Sequence, residues 1–162
     1  MIENQPYVLA FDLGTSALKA VIYAFNGLCI ASESSRYEMM TPESGWAEAN
    51  TLDWKKALHI VLSGLKAKGD YLQEIKVVAF TGQMHTAVLL DEQLEPISPT
   101  ILWLDRRAVN ETAELIERWK MPPYQLNSTY TIPKLLWLKR NRPDVIAKTR
   151  TIIWPKDYLR FL

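Results

Sequence analysis

The stretch AFDLGTSALKAVIY, Ala10–Tyr23, joins two apolar, β-prone runs through a corner made of Asp12, Leu13, Gly14, Thr15 and Ser16. Tyr7 to Asp12 reads as one strand, and Leu18 to Phe25 as a second. Asn26-Gly27 follows at once, the dipeptide that best accepts the positive φ angles of a two-residue hairpin turn. Leu28 to Met39 continues as a third strand, polar toward its far end. The chain is therefore expected to open as a three-stranded antiparallel meander.

The corner after the first strand carries more chemistry than a turn needs. Gly14 lets a ligand approach the backbone closely. Thr15 and Ser16 offer hydroxyls and adjacent amide N–H groups that can receive phosphate oxygens. Asp12 would repel a bare phosphate but can hold, through water, the hydrated Mg²⁺ that accompanies ATP. Lys19, in the second strand, returns positive charge to the same place. Carboxylate, glycine, hydroxyls and lysine together suit a metal-bound polyphosphate. The same residues also make an ordinary hairpin turn whose side chains satisfy their own backbone, and spacing alone does not separate the two readings.

Composition narrows the partners. The chain has 162 residues, 48% hydrophobic and 23% charged, enough to bury one core. A net charge of +1 gives no electrostatic case for nucleic acid or an anionic membrane. Apolar runs such as YVLAF are too short to span a bilayer, and no secretory signal opens the chain. A cytoplasmic protein is expected. The single cysteine, Cys29, reads as a small buried thiol in a strand. One cysteine and two histidines make a protein-held zinc site improbable, and His59, mid-helix without partners, has no assigned role.

Downstream, TPESGWAEAN (residues 41–50) reads as a loop. From Thr51 a helix is expected, with Trp54, Leu58, Val61, Leu62 and Leu65 on one face and Gly69 past its end. Ile75 to Phe80 has the continuous apolar character of a buried strand, and Thr86 to Leu90 looks like another. Asp91 to Thr100 is turn-rich, and ILWLD is extended. Helices are expected from Arg107 to Trp119, stopped by Pro122-Pro123, and from Thr131 to Asn141 with Pro133 in the first turn. A short strand and a barely begun helix end the chain. That last segment carries Trp154, Tyr158, Leu159, Phe161 and Leu162 with no cap, glycine or polar tail, so the chain is expected to be truncated.

Between the two middle strands stands Thr81-Gly82-Gln83-Met84-His85. Gln83 can donate and accept, Met84 supplies a soft wall, and His85 can do either according to tautomer, which suits a sugar. His85 read alone is equally a strand-end histidine satisfied by a carbonyl. Asp105 accepts hydroxyls well and Trp103 offers an aromatic face; Asp105 is also placed to cap the helix from Arg107. Trp46, Trp54, Trp119 and Trp137 fall at spacings that suit packing, and Lys139-Arg140-Asn141-Arg142 reads as the solvated end of a helix.

FDLGTSALKAVIY resembles the first phosphate motif of the sugar kinase, heat-shock chaperone and actin superfamily, whose core is ribonuclease H-like. GWAEAN, VVAFTGQMHTAVLLD, ILWLDRRA, PKLLWL and WPKDYLRF resemble successive landmarks of the FGGY carbohydrate kinases, in order and over nearly the whole chain. The likeness is closest to the xylulokinase branch. It implies an α/β fold with a mixed sheet and flanking helices, the chain being the first part of the sugar-binding domain. It also implies ATP and Mg²⁺ as cofactors and transfer of the γ-phosphoryl group to a sugar or polyol hydroxyl. On this resemblance Asp12, Gly14, Thr15, Ser16 and Lys19 bind phosphate and Mg²⁺, with Asp12 acting on the metal through water. Gln83, Met84, His85, Trp103 and Asp105 bind the sugar. The general base and the ATP-binding domain are expected after Leu162, leaving this chain inactive alone; a homodimer is compatible. Leu104 and Arg106 stand where xylulokinases have Asn and Gly, and Thr86 where they often have Gly. Glycerol, gluconate and ribulose therefore stay open as acceptors. Two other classes also stay open: a non-catalytic sugar-binding module, and an ATPase of the actin or chaperone type.

Overall fold

The computed structural model of the protein describes residues 6–97 and 99–162. In chain order its elements are β1 (Tyr7–Leu13), β2 (Ala17–Ala24), β3 (Cys29–Arg36), β4 (Glu48–Ala49), α1 (Thr51–Ala67), β5 (Ile75–Gly82), β6 (Val88–Leu90), β7 (Thr100–Ile101), α2 (Val109–Trp119), α3 (Thr131–Asn141), α4 (Pro143–Lys148), β8 (Thr151–Ile153) and α5 (Pro155–Phe161). Two compact units divide them. The first holds the chain up to Glu38, Leu52–Gln83 and Lys156–Leu162; the second holds Met39–Thr51 and Met84–Pro155. Among the described residues no helix is long and apolar enough to cross a membrane.

The first unit is built on a sheet of order β3-β2-β1-β5. β1, β2 and β3 form the expected antiparallel meander, and β5 joins β1 in parallel. A parallel neighbour needs a crossover, which α1 supplies. Period-2 alternation buries Tyr7, Leu9, Phe11 and Leu13 of β1, and the register sets Leu9, Phe11 and Leu13 opposite Ile22, Ala20 and Leu18. On α1, Trp54, Ala57, Val61 and Leu65 make the buried stripe; burying one such leucine stabilises by about 2 kcal/mol. Trp54 lies 6.4 Å from the Tyr158 ring of α5. Beyond α1, Lys68 donates to the Ser32 carbonyl and pairs with Glu33 of β3 at 2.9 Å.

Three expectations for this unit are corrected. The β2–β3 connection is a three-residue loop, Phe25–Gly27, rather than a two-residue turn: Gly27 N–H donates to Ala24 O, Ala24 N–H to Leu28 O, and Gly27 sits at φ 86°. The associated bulge skips Ile30, so Cys29 pairs with the exposed Tyr23 and is itself exposed rather than buried. β5 is not a buried strand. Among the described residues it pairs only with β1, at the sheet's edge, and Val77 and Val78 are 46% and 47% exposed.

The second unit pairs β4 with β7 and β6 with β8, both antiparallel, beside α2, α3 and α4. Its core gathers Ala87, Leu89, Ile101, Leu138 and Val145. α3 spans the expected Thr131–Asn141 with Pro133 in its first turn. β4 forms inside the expected loop, and α4 follows α3 at once, opened by Pro143. α2 begins two residues late, after the N-cap residue Ala108, and Asp105 accepts the Arg107 N–H in the turn ahead of it without capping the helix. It ends with Lys120 in the left-handed region, Met121 N–H closing onto Ile116 O, before Pro122.

Candidate functional site

In the first unit the strand register assembles a polar row. Asp12 stands opposite Lys19 in the β1–β2 ladder and beside Thr81 in the β1–β5 ladder; Ser34 follows Lys19 on β3. Laddered neighbours share a face, and all four are exposed while Leu13 and Leu18 turn inward. The hairpin at Thr15-Ser16 is closed by Gly14 N–H donating to Ala17 O at 3.0 Å. A Cβ on Gly14 would lie 3.2 Å from that oxygen, tighter than most side chains allow.

The carbonyls of the corner are pinned from behind. Gly14 O accepts the Tyr37 hydroxyl at 2.6 Å and Gln83 Nε2 at 3.3 Å. Gln83 N–H reaches Leu13 O, and Tyr37 N–H reaches Ser16 O. Burial, and secondarily the charge of Asp12, pushes the Tyr37 hydroxyl well above its ordinary pKa, so it remains a donor. The structure thus brings Gln83 to Asp12, Gly14, Thr15, Ser16 and Lys19, as part of the corner's framework. Tyr37, at the end of the meander, has no local signal that ties it to a carbonyl 23 residues away. The donor set suits Mg²⁺, which prefers hard oxygens and keeps water in its shell. Among the described residues no three His, Cys, Asp or Glu side chains cluster as a metal cage, so Asp12 would serve as a single carboxylate acting through water.

Met84, His85, Trp103 and Asp105 belong to the second unit. Met84 is 73% exposed and Trp103 43%. His85 adopts φ 57°, unusual for a residue with a side chain and costing about 1 kcal/mol or more. Two groups from α3 and its approach hold it there. Lys134 Nζ donates to His85 O at 2.9 Å, and the Tyr130 ring stacks on the imidazole at 4.2 Å. Burial, then the Lys134 charge, lowers the His85 pKa, so the ring is neutral at pH 7. Beside it lies a cavity of about 10 Å³, room for one water, lined by Thr131 and Lys134 among others.

Asp105 is fully buried. Its carboxylate accepts Ala47 N–H at 2.6 Å and Arg107 N–H at 2.9 Å, and Arg107 adds Nε and Nη2 donors at 3.0 and 2.8 Å. Arg107 also pairs with Glu48 at 2.8 Å and lies 3.7 Å over the Trp46 ring. Trp46 in turn meets Trp137 edge-to-face. A buried carboxylate must be paired, and here the pairing joins the Asp105 turn to β4. In this unit Arg107, Tyr130 and Lys134 are the residues that sequence reasoning missed, as it missed Tyr37 in the first. Arg107 stands in ILWLDRRA, two residues beyond Asp105, and Lys134 in PKLLWL, whereas Tyr130 lies outside every quoted landmark.

Residues 7–162 match the family described as FGGY family of carbohydrate kinases, N-terminal domain. The chain is 37% identical over 159 residues to a xylulose kinase of Lactococcus lactis, covering 94% of this chain and 32% of that protein. Among solved structures, a xyloylose kinase from Brucella ovis superposes with TM-score 0.90 at 32% identity, over 96% of this chain and 34% of the other. A gluconate kinase from Lactobacillus acidophilus gives TM-score 0.85 at 28% identity, over 97% and 33%. The fold is that of the actin-like ATPase superfamily, ribonuclease H-like, as the resemblance of FDLGTSALKAVIY implied. The chain spans about a third of the length of the curated relatives it matches.

Proposed function

This chain belongs to the FGGY family of carbohydrate kinases, and on that premise we propose that the protein carrying it phosphorylates a sugar or polyol hydroxyl with ATP, a xylulose-like ketopentose being the favoured acceptor. The observation that carries the reading is the exposed row of Thr81, Asp12, Lys19 and Ser34 beside the pinned Gly14 corner. Asp12 holds the metal's water shell there, Lys19 supplies positive charge, and Thr15 and Ser16 present hydroxyls to phosphate. Mg²⁺ bound with ATP offsets phosphate charge during in-line transfer. In the second unit, Met84 and Trp103 give the sugar apolar walls. His85, neutral, donates or accepts through its ring, and Asp105 acts by holding the turn that presents Trp103. Gln83 braces the phosphate corner. The general base and the adenosine pocket come from polypeptide beyond Leu162, and the setting is cytoplasmic.

Arg106 favours a second acceptor. It is exposed, three residues beyond Trp103, where xylulokinases carry glycine, and a guanidinium there suits an acceptor with a carboxylate, such as gluconate. The deciding experiment is a coupled ADP-release assay on the complete polypeptide with xylulose, ribulose, gluconate and glycerol. Xylulose is expected to give the highest kcat/KM. Gluconate ahead of xylulose moves the assignment to the second reading, and ADP release indifferent to every acceptor defeats both.

A further inference from the structure

Two loops carry the residues assigned to the sugar, and a single side chain joins them. Met84-His85 lies between β5 and β6, and Trp103–Asp105 follows β7. From α3, the Lys134 ammonium donates to the His85 carbonyl at 2.9 Å and to the Leu102 carbonyl at 2.7 Å. Lys134 is only 3% exposed, although a charged ammonium is among the costliest groups to bury. Its close partners are carbonyls rather than a carboxylate. Asp105 and Arg107 act on it through their fields, in opposite senses, and it acts in turn on the His85 ring. Burial pushes its pKa down to about 8, so near neutral pH it still carries the proton that strengthens both bonds. Packing alone would be served by a methionine at this site. What a lysine adds is a donor that reaches two loops at once, one of them in the unusual backbone conformation of His85.

We propose that Lys134 is a positioning residue, clamping the His85 loop to the Leu102-Trp103 turn and so fixing the geometry in which the acceptor is held. What the loops hold rests on the sugar-kinase reading; the clamp itself does not. Tyr130 supports it from the same helix end by stacking on the His85 ring. Arg107 and Asp105 complete the fixed side by tying the turn to β4.

The test is Lys134→Met in the complete polypeptide, a change that keeps length and removes the donor. The KM for xylulose is expected to rise about tenfold or more, with the KM for ATP within about twofold. His59 and His85 are assigned by substituting each in turn, and the ring resonances of His85 are expected to shift while those of His59 stay. A xylulose KM within twofold of the parent's overturns the proposal whatever the resonances do, and so does an equal rise in both KM values. If Lys134→Met does not fold, Lys134→Gln, which keeps N–H donors on a shorter neutral chain, is measured in its place with a several-fold rise expected; no rise overturns the proposal equally. A parent protein that turns over no acceptor defeats the sugar-kinase reading instead. The clamp is then judged on the resonances alone, and an unmoved His85 ring overturns it.

Discussion

At the scale of single residues, two aspartates show how differently one side chain can be surrounded. Asp12 and Asp105 both follow apolar strands and both looked able to meet a ligand. Asp12 is exposed beside Lys19 on an open sheet face, whereas Asp105 is sealed among Ala47, Arg107 and Glu48. Position along the chain gave no warning of that difference, because the partners of Asp105 include a main-chain N–H 58 residues away. Asp12→Ala in the complete polypeptide is expected to lower kcat about 100-fold, the scale of a lost transition-state charge contact. The KM for the acceptor should stay within about twofold. Steady-state kinetics with each substrate varied in turn checks this; equal loss of acceptor binding would remove Asp12 from the phosphate side.

Whole elements were legible where their own periodicity set their burial. α3 has the bounds expected from sequence, and the stripe of α1 buries Trp54, Val61 and Leu65 as expected, with Leu58 and Leu62 on its half-buried flank. Elements failed where a neighbour decided. β5 reads as buried because it is apolar throughout, yet it lies at an edge. Within α1, Gly64 carries a consequence that propensity alone would reverse. Alanine should gain about 1 kcal/mol in a helix interior, but a Cβ here would lie 2.6 Å from Glu33 Cγ. Lys68 and the Ser34 N–H hold that side chain and keep its carboxyl below the usual range. Gly64→Ala is therefore expected to destabilise the chain by about 1 kcal/mol. In a Glu33→Ala background the same substitution should stabilise by a similar amount. Urea unfolding of the four proteins of this cycle measures it, and a stabilising Gly64→Ala on its own would show that Glu33 is not held in place.

For the molecule as a whole, the chain carries the corner and the two loops proposed above for phosphate and sugar but spans only about a third of its curated relatives. The proposed chemistry also needs a base and a nucleotide pocket, both assigned to later polypeptide. The isolated 162-residue chain is accordingly expected to release no ADP above background from ATP and xylulose, under conditions in which the complete polypeptide turns over. Pentulose-dependent ADP release by the isolated chain would place the whole catalytic apparatus within these residues.

The opening meander and the helices α1 and α3 were determined by the sequence alone, because alternation and helical spacing are local and each element expresses them by itself. Tertiary structure decided which polar residues work together. Tyr37 and Gln83 meet at Gly14 O, the Ala47 N–H reaches Asp105, and Lys134 bridges His85 to Leu102. Each of these depends on satisfying a buried carbonyl or charge with whatever donor the fold delivers from elsewhere in the chain. Delivery of that kind is a property of register and packing, and no short stretch of sequence contains it.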